Sequence, residues 1–180
     1  MWIASPALSR GAAGLAAILG ASTLAVPVLS NEPASRAENA LHVEIAYLGK
    51  AYTEPEPLSL VDKVLTDKGL QGTLVGIGEN NMTGRLVGHE YVLKQHIVEE
   101  AADIASEARK VVASGISLIL ADLEAADLVA VADLPELKDA VILSIRSSDV
   151  RLRHELCRRN VFHIPPDWAM RADALAQYLV

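Results

Sequence analysis

The sequence predicts an α/β protein built on a doubly wound parallel sheet. Short, almost uninterrupted apolar runs at residues 116–120 and 140–145 are typical of strands that are covered on both faces. Segments with helical periodicity alternate with these runs, which is the pattern of a parallel sheet with crossover helices. The apolar residues, 51% of the 180 residues, are mostly Ala, Leu and Val. This composition favours an α/β globule over a β-sandwich.

The N-terminal segment differs from the rest of the chain. One arginine, Arg10, precedes residues 11–29, which carry no charge, and a polar stretch follows. We expect residues 1–30 to be an export signal, cleaved near Ser30 or Ala37, and residues 31–40 to be a linker. The alternative is a single transmembrane anchor, since 19 uncharged residues are just long enough to span a bilayer.

The first strand and the loop after it have clear local signals. Residues 41–49 alternate between apolar and polar side chains, which predicts a strand. Residues 50–68 contain two prolines and scattered polar residues, so we expect a loop with one helical turn at residues 60–65. Residues 91–99 predict a second strand.

The stretch between these strands contains GIGENNMTGR, residues 76–85, which looks like a phosphate-binding loop. It fails the Walker pattern because five residues separate Gly78 from Gly84, and Arg85 and Leu86 replace the required Lys and Ser or Thr. It also fails the dinucleotide pattern, since Asn81 stands at the third glycine position. We therefore predict the end of a helix, with Asn80, Asn81 and Gly84 shaping the turn before the second strand.

The second half of the chain alternates more regularly. The predicted helices are residues 99–115, residues 124–137 and a last helix after Asp167, its expected N-cap. The first of these ends at Gly115 and carries an apolar stripe on one face, made of Ile104, Ala105, Ala108, Val111 and Val112. Met170, Ala174 and Tyr178 have the spacing of an inward-facing stripe on this last helix. The predicted strands are residues 116–120, 140–145 and 161–164, and residues 146–160 form a polar loop with short helical content.

Composition argues against several classes of function. The net charge is −7, no run of five or more basic residues occurs, and aromatic residues make up only 4% of the chain. A nucleic-acid partner is therefore not expected. The sequence has no Gly-x-Ser-x-Gly or His-Glu-x-x-His motif, so we expect no enzyme, no catalytic residue and no cofactor. The pair His154 and Cys157 is too weak a pattern for a metal site.

Cys157 is the only cysteine. One thiol cannot form an internal disulfide. A reactive or ligand-contacting thiol is one interpretation, and a buried small apolar side chain is the interpretation that we favour.

Polar residues lie just after the ends of two of the predicted strands. Asp122 comes after residues 116–120, and Arg146, Ser147 and Ser148 come after residues 140–145. Because the carboxyl ends of parallel strands meet at one edge of the sheet, these side chains predict one half of a small-molecule cleft, together with Tyr47 near the end of the first strand. Ordinary loop capping by Ser and Asp is the alternative interpretation.

Beyond these local patterns, the chain resembles the N-terminal lobe of type I periplasmic substrate-binding proteins of ABC transporters, the group that serves branched-chain amino acids. The resemblance covers residues 41–180 and rests on the export signal, the first strand and the blocks at residues 108–133, 140–149 and 158–180. It implies a flavodoxin-like strand order in residues 41–180, with the second lobe absent from this chain. Residues 79–85, 157–163 and 170–180 look most like a subgroup associated with alcohol dehydrogenase systems that depend on pyrroloquinoline quinone (PQQ).

The resemblance implies a function. The protein would be the periplasmic binding component of an ABC importer, with a small-molecule ligand linked to PQQ-dependent alcohol oxidation. A membrane permease would be its partner and its only contact with the membrane. Arg146 would orient an anionic or polar group of the ligand, and Ser147 and Ser148 would donate hydrogen bonds. Because Arg146 interrupts the run of small residues in the family's binding turn, an amino-acid ligand is not assumed. A one-lobe sensory or protein-interaction module is the alternative.

Overall fold

The computed structural model describes residues 41–59 and 61–179. The predicted signal peptide and linker lie outside the described residues. Within these ranges, five strands form the sheet: β1 (Leu41–Ala51), β2 (His89–Glu99), β3 (Leu118–Asp122), β4 (Val141–Ser144) and β5 (Val161–His163). Four α-helices of the described residues connect or follow them: α1 (Lys68–Val87), α2 (Ile104–Ala113), α3 (Ala125–Ala132) and α4 (Trp168–Leu179). The 3-10 turns Pro135–Leu137 and Val150–Arg153 flank β4.

The sheet order is β2-β1-β3-β4-β5, and every neighbouring pair of strands is parallel. The predicted α/β fold with a doubly wound parallel sheet is therefore confirmed. The strand order reverses between β1 and β3, since the chain builds outward from β1 in both directions. Such a reversal places a crevice at the carboxyl ends of the two strands.

The hydrophobic core lies on one face of the sheet, beneath α2 and α3. Ile104, Ala108 and Val111 are buried there, as the helical spacing predicts. Asp103 caps α2 by accepting a hydrogen bond from the Ala105 amide at 3.0 Å. Gly115 follows the helix at φ +93°, a left-handed conformation that glycine adopts without strain.

The other face of the sheet is covered over β1 and β2 by α1. Beyond that helix, the side chains on this face of β4 and β5 are open to solvent: Val141 is 40% exposed and Phe162 is 53% exposed. Helix α4 does not cover them, because none of its described side chains is buried and Tyr178 is 85% exposed. The predicted inner stripe of α4 is therefore wrong, although Asp167 caps this helix through the Met170 amide at 2.9 Å.

Helix α1 contains the whole of the GIGENNMTGR stretch. The prediction that Asn80, Asn81 and Gly84 shape a turn is wrong, since the turn is made by Gly88 at φ 79°. Asn81 instead reaches the outer edge of β2, where its side-chain amide both accepts from the Tyr91 amide at 2.7 Å and donates to the Tyr91 carbonyl at 2.8 Å. A side chain at Gly84 would collide with the His89 backbone, so this glycine sets how closely α1 approaches β2.

Two further expectations differ from the structure. The described residues 61–65 form a turn and irregular chain instead of a helical turn. Cys157 is exposed, contrary to the favoured interpretation of a buried thiol. It follows the turn that contains Val150–Arg153, and its amide donates to the His154 carbonyl at 3.1 Å. Among the described residues, no helix is long and apolar enough to cross a membrane.

Candidate functional site

The candidate site lies at the carboxyl edge of the sheet, where β1, β3 and β4 end side by side. The register pairs Gly49 with Asp122 and Ala121 with Ser144. Residues 50–54, Asp122 and Arg146 therefore emerge from adjacent strands at the same level. This places them at the strand-order reversal, where open α/β sheets bind ligands.

Tyr47 and Asp122 form a buried pair at the base of the site. Tyr47 is 3% exposed, and its hydroxyl donates a hydrogen bond to Asp122 Oδ2. Burial, and then the hydrogen bond and charge of Asp122, raise the pKa of Tyr47 well above its ordinary value, so the phenol stays protonated as a donor. Gly69 of α1 packs against the pair. A Cβ there would lie 3.0 Å from the Tyr47 hydroxyl and closer still to the Asp122 carboxylate.

Arg146 lies at the centre of the site. Its Nε donates to Glu124 at 2.7 Å, its Nη2 donates to Glu54 at 2.6 Å, and its Nη1 lies 3.5 Å from Asp122 Oδ1. Its guanidinium also stacks on the Tyr52 ring, 4.8 Å from the centroid, a cation–π contact. Burial alone would lower the pKa of Arg146, but the hydrogen bonds to Glu124 and Glu54 outweigh it and raise the pKa.

A second set of hydrogen bonds joins the end of β1 to the start of α3. The Tyr52 hydroxyl donates to Asp127 and accepts from the Glu124 amide at 3.0 Å. Lys50 also binds Asp127, with Nζ 3.2 Å from Oδ2. Burial, and then the hydrogen bond to Asp127, raise the pKa of Tyr52. We call the connected set the Arg146 network: Tyr47, Lys50, Tyr52, Glu54, Asp122, Glu124, Asp127 and Arg146.

The Arg146 network is acidic on balance. Four of its members are carboxylates and two are cations, which leaves a formal charge of −2. Both cations are already bound by carboxylates of the network. The sequence predicts that Arg146 binds an anionic ligand group. In the structure, Glu54, Asp122 and Glu124 already contact its guanidinium, so an anionic ligand would compete with three carboxylates.

Two cavities flank the network. The β1 cavity, about 430 Å³, is lined by residues that include Tyr47, Lys50, Asp67, Leu70, Ile97 and Asp122. The serine cavity, about 460 Å³, is lined by residues that include Glu124, Ser147, Ser148, Asp149, Arg151 and Trp168. Arg146 connects the two, because it contacts Asp122 of the first and Glu124 of the second.

The structure thus brings Tyr47, Asp122 and Arg146 into one connected group, whereas Ser147 and Ser148 line the neighbouring cavity. Ser147 is 7% exposed, and its hydroxyl accepts from the Asp149 amide at 3.4 Å. The Ser148 hydroxyl accepts from Arg171 Nη2 at 3.1 Å. The serine hydroxyls thus have the local contacts that the capping interpretation predicts as well as a position on a cavity wall.

Sequence reasoning missed Tyr52, Glu54 and Glu124 as members of the site. Glu124 lies two residues after the end of β3, so its position beyond a parallel strand was a usable signal. Tyr52 and Glu54 follow β1 in the same way, but they belong to an irregular segment. Nothing in their local sequence indicates that the chain turns back over Arg146.

No protein-family model and no curated protein sequence matches the chain. Among solved structures, the chain is similar to an ABC transporter substrate-binding protein from Desulfitobacterium hafniense in complex with Leu, with a TM-score of 0.53 and 21% identity. The match covers 77% of this chain and 38% of that protein. A second structure of an ABC transporter substrate-binding protein from the same organism has a TM-score of 0.49 and 20% identity, again over 77% of this chain and 38% of that one. Over the matched part, this chain has the α/β fold of ABC transporter substrate-binding proteins.

Proposed function

We propose that this chain is the N-terminal lobe of a periplasmic substrate-binding protein of an ABC transporter. In this proposal the chain is not an enzyme. It binds a small molecule at the carboxyl edge of its sheet and presents the molecule to a membrane permease. The observation that carries the proposal is the convergence of Tyr47, Asp122 and Arg146 between two cavities at the strand-order reversal.

The dimensions and chemistry of this edge support a ligand site. Each cavity falls within the size range of small-molecule pockets, about 300–1,000 Å³. The walls combine apolar side chains with a few oriented polar groups, which is how such pockets fix the orientation of a ligand. The fold likeness to a substrate-binding protein that holds Leu makes leucine the first ligand to test. The finer proposal, a ligand linked to PQQ-dependent alcohol oxidation, rests on the sequence resemblance of residues 79–85, 157–163 and 170–180.

The test is a thermal-unfolding screen of the 180-residue chain. The panel contains leucine, short alcohols, their carboxylic acid products, the matching amines, PQQ and divalent metal ions. A ligand at about 100 times its dissociation constant stabilises the native state by about 2.7 kcal/mol, which is a readily measured rise in the melting temperature. The rise should be lost in Arg146→Gln and kept in Arg109→Gln, a matched arginine that pairs with Glu136 on the surface of α2. No rise with any compound would refute the proposal.

One observation favours a second candidate, a sensory or protein-interaction module. The open face of β4 and β5 exposes Val141 and Phe162, and α4 exposes Trp168 and Tyr178. Parallel sheets are normally covered on both faces, so a protein partner would bury this surface. A response to a small molecule in the screen favours transport over this candidate, and a monomer in light scattering excludes the form of it in which the partner is a second copy of the chain.

A further inference from the structure

The charged groups around the β1 cavity indicate the charge of the ligand that it accepts. This inference rests on the proposed function and deepens it. We infer that the β1 cavity takes a primary amine with a small aliphatic body and rejects the corresponding carboxylate.

The cations near the β1 cavity already have carboxylate partners. A carboxylate ligand needs a cationic or N–H donor that is free to bind it. Lys50 is held by Asp127, and Arg146 is held by Glu54 and Glu124, with Asp122 also close to its guanidinium. An incoming anion would share a donor with a carboxylate that is already bound there, and it would add negative charge beside the carboxylates of the network, which is unfavourable.

Asp122 supplies carboxylate acceptors to the β1 cavity. Asp122 lines the β1 cavity and accepts the Tyr47 hydroxyl on Oδ2, while Oδ1 faces Arg146 only at 3.5 Å. An ionised carboxylate has about four acceptor positions on its two oxygens. Asp122 therefore retains acceptor capacity toward the cavity, and an ammonium group donates three hydrogen bonds. The amine adds positive charge to a network whose formal charge is −2, so both charge and hydrogen bonding favour it.

The β1 cavity also has an apolar wall. Leu70 and Ile97 line the same cavity as Asp122, and Ile97 is 50% exposed. An aliphatic chain of a few carbons would cover this apolar wall while its ammonium group reaches Asp122. The other charged groups of the wall are Lys50, bound by Asp127, and Asp67, which accepts from Gln71 at 2.9 Å. Arg171, which contacts Ser148, does not line this cavity.

The test uses three probes with the same carbon skeleton: 3-methylbutan-1-amine, 3-methylbutan-1-ol and 3-methylbutanoate. Each is titrated against the 180-residue chain by thermal shift and by calorimetry at low and at raised salt. We expect the amine to bind about tenfold or more tightly than the carboxylate at low salt, with the alcohol between them. The preference should shrink as salt increases, since salt screens the charges.

Two variants locate the preference. Glu124→Gln removes one negative charge from the Arg146 network at a side chain that is 54% exposed, so the variant should fold, and the amine preference should fall. Glu136→Gln, on the surface beside Arg109, is the matched control and should leave the preference unchanged.

The outcomes separate this inference from the proposed function. Binding of the carboxylate as tightly as the amine overturns the inference and leaves a small-molecule site in place. The inference is also overturned if leucine or another neutral or anionic compound of the screen binds while the amine does not. If no probe and no compound of the screen binds, both the proposed function and this inference are refuted.

Discussion

Replacing Arg146 by Gln should destabilise the protein. The side chain is only 21% exposed, and its hydrogen bonds to Glu54 and Glu124 measure 2.6 and 2.7 Å. A hydrogen bond to a charged group contributes about 1.5–3 kcal/mol, and partial exposure reduces that value. The variant also leaves the carboxylates of Glu54, Asp122 and Glu124 facing one another. We expect a loss of about 2–3 kcal/mol in the free energy of unfolding.

The assay is equilibrium unfolding in urea together with thermal unfolding at neutral pH. For a domain of this size, the expected loss corresponds to a fall of roughly 5–10 °C in melting temperature. Arg109→Gln is the control, since that side chain is 47% exposed and lies 3.4 Å from Glu136; its cost should stay below about 0.5 kcal/mol. Adding Glu124→Gln to Arg146→Gln should recover part of the loss by removing a repelling charge. Equal stability of Arg146→Gln and the control variant would refute this prediction, and so would a further loss of stability when Glu124→Gln is added.

Three other substitutions test separate parts of the structure. Gly69→Ala should disrupt the packing of α1 on Asp122, with a cost of about 1–3 kcal/mol; a melting temperature equal to that of the wild type would contradict the close approach. Asn81→Ala leaves the Tyr91 amide and carbonyl without their partner and should cost about 1–3 kcal/mol; hydrogen exchange at Tyr91 should accelerate, and an unchanged rate would rule out the contact. Burial, and then the charge of Arg153, lower the pKa of His163 from 6.5, so the unfolded chain binds a proton below pH 6.5 that the native state does not. The stability is therefore complete above pH 6.5 and falls as the pH drops below it, and His163→Gln should show a flatter decline between pH 6.5 and pH 5 in thermal unfolding.

The fold was predictable because the strands have clear local signals. Residues 116–120 and 140–145 are short apolar runs, and the structure places β3 and β4 in the middle of a sheet, where such runs belong. The stripe on α2 was equally predictable from its spacing. The same argument failed for α4, because periodicity reports which side of a helix is apolar and not whether another element covers that side.

Part of the candidate site was predictable for a related reason. Asp122 is the last residue of β3 and Arg146 lies two residues after β4, and a parallel sheet brings the ends of its strands together. Glu54 comes from the irregular segment after β1 and contacts Arg146, which no local propensity of that segment indicates. The charge balance of the site could not be predicted from the sequence, because it depends on which carboxylates the fold brings to one guanidinium.

The contact between Asn81 and β2 has a consequence for self-association. β2 is an outer strand, and the unpaired amides and carbonyls of an outer strand are a template on which a strand of another molecule can add. The Asn81 amide occupies one donor and one acceptor of that template at Tyr91, as a neighbouring strand would. The opposite outer strand, β5, has only three residues and offers little length for such pairing. The Asn81 side chain of α1 therefore blocks part of this edge at Tyr91 and makes the addition of another strand to β2 less favourable.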